Sequence, residues 1–212
     1  MRRSKLARAF VVGDLRRSSA RPVVAALISF GLAALTVSSD DMFVRRSSND
    51  LHVLAPRLHF LTPKTLQRLR DGAIAPFDFQ LTISAGSKNN VIARAVERFV
   101  VSYDLWQEKF SVVRMRDYRK WGMNASASAA EAWCVDNMVI EVSQLASQVS
   151  AGQQLWARLE IRSVDQKNQP PPVSDSGISI ISLVELFSRP PHPQQDHWML
   201  ETAAFHLDDL KP

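Results

Sequence analysis

Two stretches of the chain alternate apolar and polar residues without a fault, and they predict the framework. Phe77 to Ile83 (FDFQLTI) places Phe77, Phe79, Leu81 and Ile83 on one side, the signature of a half-buried strand. Leu155 to Arg162 (LWARLEIR) does the same with Leu155, Ala157, Leu159 and Ile161 inside. Between them, Val91–Leu105 and Lys109–Arg116 read as two further strands joined by a tight polar turn around Gln107 and Glu108. Phe99, Val101, Tyr103 and Leu105 line one side of the first. Short turns between consecutive strands imply an antiparallel meander, because parallel pairing needs long crossovers.

Helical spacing appears in three places. Thr62-Pro63 offers a cap followed by proline at the first helical position, with Leu66, Leu69 and Ala73 on one face; Gly72 weakens the last turn and Pro76 ends the element. Ser128 and Glu131 have capping-box spacing, and Ala132, Val135, Val139 and Val142 recur behind them, although the β-branched Val139-Ile140 leaves the second half open. Ile180, Leu183, Val184 and Phe187 suit a short helix within 178–187. Leu51–Phe60 has strand residues broken by Pro56, which favours an edge position, and a last strand is expected near Trp198–Leu207. Turn-rich segments fall at 85–90, at the proline run 169–172 and at 190–193. The expected fold class is α+β and mainly antiparallel β: a curved sheet or sandwich-like meander with two or three helices packed on it.

An apolar run of 15 residues, Val23–Val37, precedes all of this. It follows a leader carrying Arg2, Arg3, Lys5, Arg8, Arg16, Arg17 and Arg21 against Asp14 alone, and it ends near Ser38 and Ser39. That layout is a secretory signal, or an N-terminal membrane anchor shorter than the ~20 residues that span a bilayer comfortably. Arginines on the near side keep the N-terminus in the cytoplasm, so the body is expected in the periplasm or cell envelope. The organisation is then a signal or anchor at 1–39, a polar linker at 40–50, and a single β-rich domain at 51–212.

The leader also changes the meaning of the charge. The chain holds 26 Lys+Arg and 21 Asp+Glu, net +5. Residues 1–39 contain seven of the former and one of the latter, so the body carries 19 against 20. A nearly neutral body removes the case for nucleic-acid binding. Cys134 is the only cysteine, which rules out an intrachain disulfide or a thiolate metal cluster; in an apolar stretch it reads as a small buried hydrophobe.

Signals for chemistry are sparse. The few glycines lack phosphate-loop spacing, and neither HExxH nor GxSxG occurs. His192 and His197 flank Asp196 in a Pro/Gln-rich loop that offers no further ligand pair, so no metal or other cofactor is expected. His52 and His59 are seven residues apart, which puts them on opposite faces of one alternating strand. His206 beside Asp208 and Asp209 reads as surface. One basic cluster remains in the body: Arg114, Arg116, Arg119 and Lys120, interleaved with Tyr118 and Trp121. It suits an anionic ligand, a lipid head group or an acidic partner. A curved sheet closing on a helix also offers room for a lipid-like ligand, although inward Phe and Leu side chains equally fill an ordinary core.

RLRDGAIAPFDFQLTI (68–83), RFVVSYDLWQEKFSV (98–112), SAAEAW (128–133) and QLWARLEIRSVD (154–165) together resemble a bacterial envelope family catalogued as domain of unknown function 4390. The resemblance spans roughly 51–207 and rests on framework positions. Pro170–Pro172 and FSRPPHP (187–193) stand where members have a shorter connection. It implies an exported periplasmic domain, sometimes encoded beside a nitrogen-type sensor kinase, and brings no catalytic residues. The expected function is a non-enzymatic binding or interaction module. An accessory sensory domain for such a kinase is the alternative, and an enzyme with residues scattered over the strands a weaker one.

Overall fold

A computed structural model describes residues 41–116, 119–164, 180–191, 193 and 195–210; for 119–125 and 180–182 it describes the backbone. The leader with its apolar run, Tyr118, the 169–172 loop, the start of the 178–187 segment and His192 lie outside the described residues. Two antiparallel sheets carry the fold. The smaller has the order β1-β2-β7, built from Phe43–Ser47, Asp50–Leu54 and Val139–Glu141. The larger runs β6-β5-β4-β3-β8-β9, from Arg119–Ala125, Lys109–Arg114, Val91–Asp104, Ala75–Ala85, Leu155–Ser163 and His197–Glu201. The helices are α1 (Pro63–Arg70), α2 (Ala127–Asp136), α3 (Val142–Ala146) and α4 (Ile180–Ser188). The chain is therefore α+β and mainly antiparallel β, as its alternation predicts.

The meander β3-β4-β5 forms in antiparallel register, and β8 pairs with the free side of β3. Phe77, Phe79, Leu81 and Ile83 meet Leu155, Ala157, Leu159 and Ile161 on one face, all of them 1% exposed or less. A string of edge-to-face rings crosses that core. Phe60 contacts Phe77 at 4.8 Å and Phe79 at 5.3 Å, Phe79 contacts Phe99 at 4.9 Å, and Phe99 reaches Trp133 of α2 at 5.9 Å. Each such pair contributes about 0.5–1.5 kcal/mol beyond the area it buries.

Several expectations are corrected. Strand β3 is buried along its whole length on both faces, not half-buried, because side chains of the flanking strands, Arg98 and Arg162 among them, close over its polar face and α4 is tied there through Arg162. Pro76 does not stop the first helix: Asp71 caps it, Gly72 at φ +86° turns the chain, and Pro76 already lies in β3. The 40–50 segment holds a strand where a tether was expected, since Val44 packs against the core while Phe43 and Arg45 face outward. Strand β2 ends at Leu54, before Pro56, and lies in the middle of its sheet, not at an edge. The helix around 128–142 stops at Asp136; Val139 and Ile140 go to β7, as β-branched residues tend to. Its cap is Ser126, which accepts from the Ala129 amide, and Glu131 is used elsewhere. Strand β6 was not anticipated, and the last strand ends at Glu201, followed by a 3-10 turn at Leu207–Asp209.

Candidate functional site

Alternation that buries apolar residues on one side of β3 must send Asp78, Gln80, Thr82 and Ser84 to the other. The register sets Asp78 between Arg98 of β4 and Arg162 of β8, Gln80 between Val96 and Glu160, and Thr82 between Arg94 and Arg158. The result is a polar seam inside the molecule. Arg98 chelates Asp78 through Nε and Nη2, the latter 2.7 Å from Oδ2. Asp78 is fully buried, and burial pushes its carboxyl above the ordinary aspartate range even though the Arg98 guanidinium opposes that shift. Arg162 donates from Nε to Glu160 Oε1 at 2.7 Å, and His197 Nε2 lies 3.1 Å from the same oxygen. From the other side, Arg162 Nη1 donates to the carbonyls of Leu186 and Arg189 at 2.8 Å, and its guanidinium lies 4.7 Å from the centroid of the Phe187 ring. One buried arginine thus fastens α4 to the sheet.

At the far end of the seam Glu201 accepts from Lys88 Nζ at 2.7 Å and from Arg158. Burial works to raise its pKa, but the two cations outweigh it and hold the carboxyl below the ordinary glutamate range. Gln80 Oε1 is buried and meets no hydrogen-bond donor among the described residues. A carbonyl in that position is normally met by a trapped water.

The histidines serve as fasteners. His59 Nδ1 lies 3.0 Å from Glu131 Oε2, while Glu131 Oε1 accepts from the Leu61 amide at 2.7 Å. His52 Nδ1 lies 3.0 Å from the Asp136 carbonyl. The expectation of opposite faces fails because the strand stops before His59; both residues instead hold α2. His197 pairs with Glu160, not with its neighbour Asp196, and His206 meets Asp209 at 3.2 Å on the surface. Among the described residues no group of three His, Cys, Asp or Glu is placed to hold a metal ion.

The register brings part of the basic cluster onto one strand pair. Arg114 stands across from Arg119, Val113 from Lys120 and Val112 from Trp121 along the β5–β6 pair. Arg116, just past β5, is 3.1 Å from buried Glu97 and donates to the Val96 carbonyl at 3.2 Å. That arginine neutralises a carboxylate on the core side of β4.

A feature the alternation did not reveal lies in the β4–β5 turn. Leu105, expected inside, falls just past β4 and is 56% exposed, and Trp106 beside it is 96% exposed. Asp104 Oδ1 accepts from the amides of Trp106 at 2.8 Å and Gln107 at 3.0 Å, and Glu108 takes a left-handed φ of +53°. An aspartate-capped turn of this kind fixes the backbone that carries the indole. Ile74, 47% exposed, immediately precedes β3 at the same end of the sheet. The legible signal was a tryptophan where a hairpin turn ordinarily takes polar residues.

No family model matches the chain, and neither a curated protein nor a solved structure does.

Proposed function

We propose that this chain is an exported envelope module, non-enzymatic, that binds a protein partner through the end of the large sheet where Leu105 and Trp106 project. The observation that carries the reading is Trp106: a large aromatic with nearly its whole surface in water, on a backbone fixed by Asp104. Exposed aromatics of this kind are the usual anchors of interfaces, and a fixed backbone lowers the entropy lost on docking. Exposed Glu108 beside the indole suits a partner whose apolar pocket has a basic rim. The carboxylates that could serve acid–base chemistry are already engaged in packing the fold: Asp78 by Arg98, Glu160 by Arg162 and His197, Glu131 by Leu61 and His59. Export rests on the basic leader and the apolar 23–37 run, and the likeness to domain of unknown function 4390 belongs to the same proposal.

A photo-crosslinking residue at exposed position 107 of the full chain, beside the intact indole and expressed in the cell envelope, tests the docking site. A single discrete adduct is expected at 107 and none at exposed Ser87, at the opposite end of the sheet. The purified partner should then bind Trp106→Ala at least tenfold more weakly than the parent, the loss typical of an interfacial anchor. Equal binding by the parent and Trp106→Ala, or no adduct at 107, overturns the reading.

A further inference from the structure

The smaller sheet presents its own exposed apolar pair. Phe43 and Leu54 are direct partners across the β1–β2 ladder, at the end where the chain enters the hairpin, and they are 53% and 38% exposed. Their neighbours Met42 and Val53 are 1% exposed, so the alternation is intact and the outward position, where polar residues belong, carries a phenylalanine and a leucine. Arg57 reaches back to Asp41 at 3.1 Å, which brings a 78%-exposed arginine side chain beside the entry point. Arg45 follows Phe43 on the same outward side, 55% exposed and 3.4 Å from Asp136. An apolar pair bordered by long cationic side chains is the composition of a surface that meets lipid, where such stems lie along the boundary and their heads reach water.

The length of chain before this hairpin identifies the occupant. The apolar run ends at Val37, six residues before Phe43. At ~3.3–3.6 Å per residue those six residues span about 20 Å when fully extended. If residues 23–37 stay in the bilayer, Phe43 is confined to within that distance of the hydrocarbon edge, and the head-group zone fills the first several ångströms of it. We infer that Phe43 and Leu54 insert into the interfacial zone of the same membrane that holds the leader, seating the body on the bilayer through the first hairpin. This rests on the leader being kept as an anchor, one of the two forms of the export reading above.

The test uses the full chain reconstituted in vesicles of phosphatidylcholine and phosphatidylglycerol. An environment-sensitive fluorophore is attached at Leu54→Cys, at Phe43→Cys, or at Ser87→Cys as a distant control; buried Cys134 stays unlabelled in the native fold. Blue-shifted emission and quenching by lipids spin-labelled near the head group are expected at 43 and 54, and neither at 87. Alkaline extraction of native envelopes reports separately on the anchor. A chain that resists extraction while labels at 43 and 54 behave like the one at 87 sinks the seating and spares the anchor. Release by alkali removes both.

Discussion

Asp78 is buried and Arg98 nearly so on the polar face of the sheet, and their pairing is a matter of one charge compensating another. Arg98→Met leaves the fully buried aspartate without its chelating partner and with only the charge of Arg162 beside it, and breaking a buried pair in this way costs up to about 3–5 kcal/mol. The pH dependence has a definite sign. The Asp78 pKa in the fold is already raised, chiefly by burial, and losing Arg98 raises it further. A raised folded-state pKa means the native state holds its proton more tightly than the unfolded chain, so stability is lost as pH rises through the carboxylate range. The deficit of Arg98→Met against the parent should therefore be largest at neutral pH and shrink in acid, where a protonated Asp78 needs no cation. Urea unfolding at pH 7 and pH 4 measures it; a deficit independent of pH would mean that Arg98 contributes packing only.

Among the described residues, one side chain of β8 ties helix α4 down by hydrogen bonds. Arg162 holds Glu160 with one edge of its guanidinium and the carbonyls of Leu186 and Arg189 with another. A lysine keeps the charge but cannot form that fork. Arg162→Lys is expected to lower amide-exchange protection across 183–188 by at least tenfold while β3 and β4 keep theirs, as seen by hydrogen exchange and mass spectrometry. Unchanged α4 protection would show that Leu183 packing suffices. The sequence made β3, β4, β5, β8 and α1 legible because each repeats one period over enough residues for the two templates to separate. It misplaced β1, β7 and the cap of α2 for the opposite reason. Three to five residues cannot establish a period, and Ser126 and Ser128 are equally good caps until Glu131 is seen to reach Leu61 and His59. The second covered face of β3 was hidden for another reason: Asp78 and Gln80 look solvent-facing unless an arginine and a helix are known to lie above them.

At the scale of the molecule, the candidate site was the least legible part, since Trp106 breaks no periodicity and its one signal, an aromatic in a turn, gains weight only once the hairpin and its exposure are known. The arginine cluster, which does stand out in sequence, is partly spent on Glu97. What the whole fold adds is coupling between faces that share β3 and β4. Cys134 lies in α2 on the apolar side, 0% exposed, with its thiol pKa pushed well up by burial and then by neighbouring Glu131. The thiolate is the reactive form, so the native thiol should be inert to disulfide reagents, and its labelling rate should report opening of the structure. Asp78 and Arg98 lie on the opposite side of the same two strands. If both faces belong to one cooperative unit, Arg98→Met at neutral pH must speed Cys134 labelling by the ratio its stability loss dictates, on the order of 100-fold for about 3 kcal/mol. A labelling rate that ignores Arg98→Met while urea unfolding registers it would mean that α2 opens by itself. Glu131, bonded to Leu61 and His59, argues against that: releasing the thiol requires breaking the tie between α2 and the segment that places Phe60 in the aromatic core.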